Sequence, residues 1–311
     1  MHYTGTIWRP PYEAGSLLLE VTAGCTHHRC KFCTLYEDLP FRFRMSPLEQ
    51  VESDLREAQM LLNSPMEKLA ARLQSLPPRP AVRRVFLVGA NPFVLRFDRL
   101  KAIAELIGTY LPSCETIGCF ARVTDVALKS DGELRELRHL GYDGLSIGVE
   151  TGDDQALAFM DKGYQAKDIV EQAQRLDHAG IGYCFMYLAG LAGAGKGVQS
   201  ATASAEVFNR THPRLIGSSM LTVYPASRLY QEVRAGNWTE AGELEKLEEL
   251  RALIVNLQIP IHFATLGASN AVWVEGRLPE DREAMLARLA EACDPANEAR
   301  LRRYREQLDH L

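Results

Sequence analysis

Short apolar runs alternate with amphipathic stretches from residue 16 to residue 225 of the chain. Short runs with β-branched members are typical of buried strands, whereas apolar residues spaced three or four apart are typical of helices. The pattern predicts strands at 16–22, 84–89, 115–121, 144–149, 181–188 and 216–224. It predicts helices at 46–76, with Ser46 as N-cap, and at 98–110, 131–140, 167–179 and 198–210.

This alternation of strands and helices indicates one kind of sheet. Strands that are joined through helices run parallel, with right-handed connections. The sequence therefore predicts an α/β protein, and periodicity alone leaves open a doubly wound sheet and a full or partial barrel. In both architectures functional residues gather at the carboxyl ends of the strands, so we look for a site there.

The alternation ends at Pro225. Residues 239–257 form a charged helix rich in Glu and Leu, and residues 280–309 form one or two more helices. Residues 259–278 between them are predicted to be irregular or short-strand structure. We therefore divide the chain into a core of residues 1–225 and a small, mostly helical extension of residues 226–311 that covers it.

Composition disfavours several classes of function. With 46% hydrophobic and 24% charged residues, the 311-residue chain has the balance of a globular protein. Its formal net charge of −5 disfavours a dedicated nucleic-acid binder, because such proteins usually carry a basic excess. The sequence has neither a run of about 20 apolar residues nor a signal peptide, which predicts a cytoplasmic protein without a membrane partner.

Three of the seven cysteines fall within nine positions, directly after the first predicted strand. Cys25, Cys30 and Cys33 have the spacing C-x4-C-x2-C, and an odd cysteine count argues against a disulfide framework. An iron–sulfur cluster on three thiolates leaves one iron open for a small molecule. A zinc site with His27 or His28 as fourth ligand is the alternative. The other cysteines lie in patterns typical of small buried hydrophobic residues: Cys114, Cys119, Cys184 and Cys293.

The cysteine loop resembles that of the radical S-adenosylmethionine (SAM) superfamily. The shared features are three cysteines after the first strand, the aromatic Phe32 just before the third cysteine, and six βα units. Most members have C-x3-C-x2-C, and the extra residue here is a known minor variant. Residues 9–33 are also similar to the radical SAM domains of the Elongator catalytic subunit and oxygen-independent coproporphyrinogen oxidase, and the resemblance continues through the C-terminal LGASNAVWVEGRLP segment.

The resemblance implies a partial (β/α)6 TIM-type barrel that holds a 4Fe-4S cluster on the three cysteines and SAM at the open iron. It implies reductive cleavage of SAM to a 5′-deoxyadenosyl radical, which abstracts hydrogen from a small-molecule substrate. A flavodoxin or ferredoxin-type reductant would supply the electron. Radical modification of tRNA or protein, and a non-catalytic zinc or iron–sulfur binding module, are the alternatives.

Cofactor-binding positions of the family can be carried over to the strand ends. Gly89 and Asn91 stand where the family has a Gly-Gly-Glu-type motif that binds the SAM ammonium, although this chain keeps one glycine and no glutamate. Glu150 matches the ribose-binding position, and Arg122 and Lys162 are candidates for the SAM carboxylate. An ordinary strand-end turn, a helix N-terminal acid and solvated basic side chains are the alternatives.

The later strand ends supply the remaining candidates. Met186 and Gly190 lie where family members pack adenine against backbone, and glycine permits that close approach. Tyr224 closes the sixth strand and is predicted to shape the adenine or substrate wall. His262 and the turn at 267–270 are substrate candidates, with simple turn capping as the alternative.

Overall fold

The computed structural model describes residues 1–64, residue 73 and residues 81–308. These residues form strands that we number in chain order: β1 (Leu17–Glu20), β2 (Thr22–Gly24), β3 (Phe43–Met45), β4 (Arg84–Val88), β5 (Thr116–Ala121), β6 (Tyr142–Glu150), β7 (Tyr183–Ala189), β8 (Leu215–Met220), β9 (Ile261–Thr265) and β10 (Glu275–Leu278). β2 and β3 make a separate antiparallel ribbon, and the other strands form one eight-stranded sheet in the order β1-β4-β5-β6-β7-β8-β9-β10.

Every neighbouring pair in this sheet from β1 to β9 is parallel, and β10 alone pairs antiparallel with β9. The six predicted strands are present as β1 and β4 to β8, so the predicted α/β fold of the partial-barrel type is confirmed. β9 and β10 come from the stretch 259–278, which the sequence predicted as irregular or short-strand. The extension after Pro225 therefore adds strands to the sheet as well as helices, and the domain boundary at that residue stays a prediction.

The helices are α1 (Leu48–Asn63), α2 (Phe97–Tyr110), α3 (Val123–Ala127), α4 (Asp131–His139), α5 (Asp154–Phe159), α6 (Ala166–Ala179), α7 (Gly197–Phe208), α8 (Arg228–Arg234), α9 (Glu243–Asn256), α10 (Arg282–Ala292) and α11 (Glu298–Glu306). The predicted helix 46–76 corresponds to α1, and residues 65–72 and 74–76 of that prediction lie outside the described residues. Within the described ranges, no helix is long and apolar enough to span a bilayer.

The prediction that Ser46 caps α1 is wrong. Pro47 occupies the N-cap position, and no side chain caps this helix end. The helix begins one residue later than the prediction requires, so Ser46 lies before the N-cap position. Its backbone N–H instead donates to the carbonyl of Val21 at 3.0 Å, and the residue is buried beside the sheet.

The two faces of each strand meet different surroundings, as β7 illustrates. Tyr183, Phe185 and Tyr187 are buried in the large core that the sheet forms with the helices. The alternate residues Cys184 and Met186 are only partly buried and pack with a separate small cluster. Because side chains alternate across a strand, they lie on the inner face of the sheet, where a binding site would be accessible.

Charged side chains occupy the amino ends of the strands. Arg84, at the start of β4, makes a 2.6 Å ion pair with the buried Glu13 and donates to the carbonyl of Asp143 at 3.0 Å. Gly118 and Gly144 make room for it, since an added Cβ would lie 2.2 Å and 2.6 Å from its Nη2. These contacts fill the amino ends of the strands, so we look for a binding site at their carboxyl ends.

Candidate active site

The β2–β3 ribbon closes the cysteine loop at its base. The backbone N–H of Cys25 donates to the carbonyl of Arg42 at 2.9 Å, which ties the two ends of the loop together. Gly24 has φ of 77°, and a Cβ there would lie 2.2 Å from the same carbonyl oxygen. The Cys33 N–H donates to the carbonyl of Cys30 at 3.2 Å, so the last two cysteines share one tight turn.

The three thiols of this loop are free, partly buried and electrostatically coupled. Burial raises the pKa of the Cys33 thiol to about 12, and the charges of Cys30 and Cys25 raise it as well. Among the described residues, no three His, Cys, Asp or Glu side chains are already arranged around one metal position. Thiolates crowded in a buried loop need positive charge to offset their desolvation, and the irons of a cluster supply it. The donor set therefore fits a three-cysteine cluster.

His27 links the cysteine loop to the segment that follows α5. Its Nε2 lies 2.5 Å from the carbonyl oxygen of Asp161, and a Cβ on Gly163 would be 3.1 Å from its Cε1. Burial lowers the pKa of this imidazole to about 4, so the ring is neutral. Metal-ligating histidines commonly donate one ring N–H to a backbone carbonyl and bind the metal through the other nitrogen, so a zinc site that uses Nδ1 of His27 stays the alternative.

Lys31, between the second and third cysteines, is the most firmly anchored residue of the loop. Its backbone N–H donates to Met160 at 3.1 Å, and its carbonyl accepts from Leu229 of α8 at 2.7 Å. Its Nζ pairs with Glu232 at 2.6 Å and lies 4.1 Å from the centre of the Phe159 ring. The cysteine loop is thus held between α5 and α8.

Asn91 presents an unpaired acceptor beside the cysteine loop. It is fully buried, and its Nδ2 donates to Thr26 of the loop at 3.0 Å and to Asp125 at 3.1 Å. Asp125 also accepts the backbone N–H of Arg122 at 2.8 Å. The Oδ1 of Asn91 is buried without a hydrogen-bond partner among the described residues. Since a buried acceptor is costly when unpaired, this oxygen is suited to an incoming N–H donor, such as an ammonium group.

Gly89 allows the end of β4 to touch the start of the ribbon. Its φ is 131°, and an added Cβ would lie 2.0 Å from Oγ1 and 2.5 Å from the carbonyl oxygen of Thr22. We expect Gly89→Ala to lower the free energy of unfolding by about 2 kcal/mol, because both backbone strain and a clash result. Urea unfolding of the two proteins measures this difference.

Gly195→Ala is the matched control for that substitution. Its φ is 77°, but nothing lies within 4 Å of the position that a Cβ would take. Only the conformational cost remains, which is about 1 kcal/mol. Equal losses for the two variants would mean that the contact of Gly89 with Thr22 has no energetic importance.

Glu150 and Lys162 form a buried ion pair at the end of β6. The Nζ of Lys162 lies 3.0 Å from Oε1 of Glu150 and 3.1 Å from the carbonyl of Gly148. Burial lowers the pKa of Lys162, but Glu150, Tyr164 and Cys30 together outweigh it, and the pKa lies above its usual range. Glu150 has φ of 63°, where the register between β6 and β7 shifts. A strained residue that carries a charge at a strand end is typical of a functional site.

Arg122 ties the end of β5 to the same region. Its Nη2 donates to the carbonyl of Lys162, and its Nη1 donates to Thr124 at 3.1 Å. Its guanidinium carbon lies 6.0 Å from the centre of the Tyr164 ring, whose hydroxyl donates to Gly148 at 2.9 Å. The structure therefore brings Arg122, Glu150 and Lys162 together, as the strand-end prediction requires.

The remaining cofactor candidates occupy the ends of β7 and β8 and the cysteine loop. Phe32 packs against an apolar cluster that includes Leu188 and Leu191, and the Nζ of Lys162 lies 5.7 Å from its ring centre. Met186 faces the inner side of the sheet, where its sulfur lies 3.8 Å from the hydroxyl of Tyr12.

Gly190 and Tyr224 stand in the turns that follow these two strands. Gly190 has φ of 89°, and its N–H donates to Glu249 at 2.8 Å. The carbonyl of Tyr224 accepts the N–H of Ser227, which caps α8, at 2.9 Å. Both residues therefore help to shape the carboxyl edge of the sheet.

The predicted substrate residues fall into two places. His262 is the second residue of β9, at the amino edge of the sheet, where its Nε2 lies 3.0 Å from Glu275. Ser269 and Asn270 are buried at the opposite edge: the Ser269 hydroxyl accepts the N–H of Met220 at 3.3 Å, and the Asn270 amide donates to backbone carbonyls. This pair stabilises the turn before β10.

The sequence reasoning missed three residues that support the site: Lys31, Asp125 and Glu249. Asp125 had a readable signal, because an acid three residues after Arg122 at a strand end fits a capping arrangement, and its carboxylate accepts the Arg122 N–H. The contacts of Lys31 and Glu249 join positions far apart in sequence, which no local pattern shows.

Comparison with known proteins identifies the family of the chain. Residues 19–193, more than half of the chain, match the family described as the Radical SAM superfamily. The chain is also 25% identical over 103 residues to the heme chaperone HemW of Bacillus subtilis (strain 168), a match that covers 33% of this chain and 27% of HemW. The chain thus spans only about a quarter of this curated relative.

Two solved structures share the fold at low identity. Coproporphyrinogen III oxidase (HemN) from Escherichia coli, described as a radical SAM enzyme, has a TM-score of 0.53 and 15% identity, covering 78% of this chain and 52% of that one. Elp3 of the archaeon Methanocaldococcus infernus has a TM-score of 0.50 and 12% identity, covering 80% and 56%. Because the family match runs from the strand before the cysteines to the turn after β7, this chain belongs to the radical SAM superfamily.

Proposed function

We propose that this protein is an enzyme that binds a 4Fe-4S cluster through Cys25, Cys30 and Cys33 and cleaves SAM reductively. The observation that carries the proposal is the unpaired, buried Oδ1 of Asn91 beside the cysteine loop. It supplies an acceptor for the SAM ammonium at the place where the family has a Gly-Gly-Glu-type motif. When bound, the cluster supplies the electron that cleaves SAM to methionine and a 5′-deoxyadenosyl radical, which abstracts hydrogen from a substrate.

The residues around this acceptor suit the other parts of SAM. Glu150 offers a carboxylate to the ribose hydroxyls, and Lys162 compensates its charge at 3.0 Å. We assign the SAM carboxylate to Arg122, whose guanidinium donates to the carbonyl of Lys162 beside Glu150. The turn that begins at Gly190 offers backbone to adenine, with Met186 on the inner face before it.

We propose a small-molecule substrate, because a net charge of −5 disfavours binding to nucleic acid. Met186 and Cys184 leave a partly exposed stretch of the inner sheet face, which suits a compact substrate. A flavodoxin or ferredoxin-type protein would supply the electron, and the cytoplasmic location stays a prediction.

The decisive experiment reconstitutes the protein anaerobically with iron and sulfide, then adds dithionite and SAM. We expect about four irons and four sulfides per chain and the formation of 5′-deoxyadenosine, measured by liquid chromatography with mass spectrometry. Protein that carries an intact cluster and yet forms no 5′-deoxyadenosine would contradict the proposal. One zinc and no sulfide in anaerobically purified protein would instead favour a non-catalytic metal module.

A second candidate function rests on the similarity to HemW, which is named a heme chaperone. In that case the chain would bind heme without consuming SAM. Titration of the reconstituted protein with heme, followed by its absorbance, separates the two functions. Stoichiometric heme binding without 5′-deoxyadenosine would favour the chaperone function, and 5′-deoxyadenosine without heme binding would favour the enzyme.

A further inference from the structure

The turn between β7 and α7 is held from one side by the C-terminal part of the chain. This turn, residues 190–197, is the segment proposed above to receive adenine. Its Ala194 N–H donates to the carbonyl of Thr239 at 2.9 Å, and its Gly195 N–H donates to Glu245. Contacts from both the approach to α9 and α9 itself therefore fix the middle of the turn.

Glu249 of α9 holds the beginning of this turn through both carboxyl oxygens. Its Oε2 accepts the N–H of Gly190 at 2.8 Å, and its Oε1 accepts the hydroxyl of Tyr187, the third-last residue of β7, at 2.6 Å. Glu249 is only 1% exposed. A buried carboxyl with two donors aimed at it fixes the strand end and the turn relative to the helix.

Glycines make this close approach of α9 possible. A Cβ on Gly190 would lie 3.0 Å from Cε of Lys246, and a Cβ on Gly197 would lie 2.9 Å from Oε2 of Glu249. Gly190 also has a positive φ of 89°, so two independent features restrict the position to glycine. The backbone of the turn is therefore packed directly against two charged side chains of the helix.

We infer that Glu249 is a positioning residue for SAM, which sets the backbone of the turn at Gly190 and thereby the surface that adenine meets. The inference rests on the proposed function and deepens it. Glu249 does not touch the cluster loop, so it acts only on the half of the site that lies at the end of β7. Removing its carboxyl leaves the Gly190 N–H and the Tyr187 hydroxyl without their acceptor, and the turn loses its fixed geometry.

The hydrogen bonds that Glu249 accepts do not require a fully ionised carboxyl. Burial raises the pKa of this carboxyl to about 7, although the bonds from Tyr187 and Gly190 lower it. Glu245 raises it further and Lys246 lowers it. A glutamine offers the same shape with one acceptor for Gly190 and one donor for the Tyr187 oxygen, so it should preserve the arrangement.

The test measures SAM affinity in anaerobically reconstituted protein by isothermal titration calorimetry. We expect Glu249→Ala to weaken SAM binding about tenfold, since a buried donor loses its partner, with iron and sulfide content unchanged. Glu249→Gln should bind SAM within about twofold of wild type. Glu248→Ala is the matched control, because this neighbouring carboxylate on α9 is 43% exposed and pairs with Arg251 on the helix surface.

Hydrogen exchange of the SAM-free protein gives a second readout that does not depend on ligand binding. The amides of residues 190–197 should exchange faster in Glu249→Ala than in wild type or Glu249→Gln, whereas those of the cysteine loop should not change. Wild-type SAM affinity and unchanged exchange in Glu249→Ala would overturn the inference alone. Wild-type protein that holds its cluster but binds no SAM would overturn the proposed function and this inference together.

Discussion

Replacing any one of Cys25, Cys30 and Cys33 with alanine is expected to lower bound iron and sulfide at least about tenfold and to abolish 5′-deoxyadenosine formation. The reason is that each thiolate would hold a separate iron, and a cubane with two protein ligands is poorly retained. Because the three thiolates would play the same role toward the cluster, the losses should be similar at all three positions.

Cys293→Ala is the matched control for these variants. Cys293 follows α10, far along the chain from the loop, and its thiol is free and only partly buried. Iron and sulfide should therefore stay at the wild-type level. If Cys293→Ala lost the cluster, or if any of the loop variants kept it, the assignment of the three ligands would be wrong. Chemical analysis of iron and sulfide after anaerobic desalting compares the four variants with the wild type.

Replacing Lys162 with methionine is expected to lower the free energy of unfolding by about 3 kcal/mol. Methionine keeps most of the length of the side chain but removes the charge that faces Glu150 at 3.0 Å. The exposed fractions of the two side chains are 4% and 16%, so water replaces the lost partner only partly. An uncompensated carboxylate then remains in a buried position. Urea unfolding at neutral pH measures the change.

The double variant Lys162→Met with Glu150→Gln tests the origin of this loss. Since both charges are removed, we expect the free energy of unfolding of the double variant to be at least about 1 kcal/mol higher than that of Lys162→Met. A double variant that is less stable than the single variant would mean that packing around Lys162, and not the unpaired charge, determines the effect. SAM affinity should be lower in the double variant than in wild type, because the proposed ribose acceptor is lost.

The strands of the core were predictable because they are local apolar runs with clear stops. The predicted strand 84–89 appears as β4, and 181–188 appears as β7. β9 was predicted less well, since His262 interrupts its short apolar run and its partner β8 lies more than 40 positions earlier. Its place in the sheet depends on that long-range pairing, which the local pattern does not contain.

The sequence predicted which strand ends carry the candidate site residues, but it did not predict which of their side chains contact one another. The strand-end rule placed Asn91, Arg122 and Glu150 at one edge, and the structure puts them there. The pairing of Glu150 with Lys162 depends on a register shift in β6 and a positive φ, which depend on the packed sheet. The spacing of residues in the sequence predicts neither the register shift nor the positive φ.

The buried charged residues of α9 show that burial of a charged side chain is also hard to predict from the sequence. The sequence predicts a charged helix rich in Glu and Leu, yet the side chains of Glu243, Lys246 and Glu249 are at most 1% exposed. A signal was present, because Lys246 lies next to Leu247 and four residues before Leu250 on the apolar stripe. Charged residues within an apolar stripe predict distant partners, and only the fold identifies them.

The contacts that hold Lys31 against α8 affect when the cysteine loop can take its final form during synthesis. The partner of Lys31, Glu232, lies 201 positions later in the chain, and Leu229, whose N–H donates to the Lys31 carbonyl, lies nearly as far along the chain. Chains are synthesised from the amino end, so the cysteines leave the ribosome well before α8 exists. The three thiols of a nascent chain are therefore exposed before the contacts of Lys31 with α8 can form. We expect stable binding of iron and sulfide only after α8 has emerged from the ribosome.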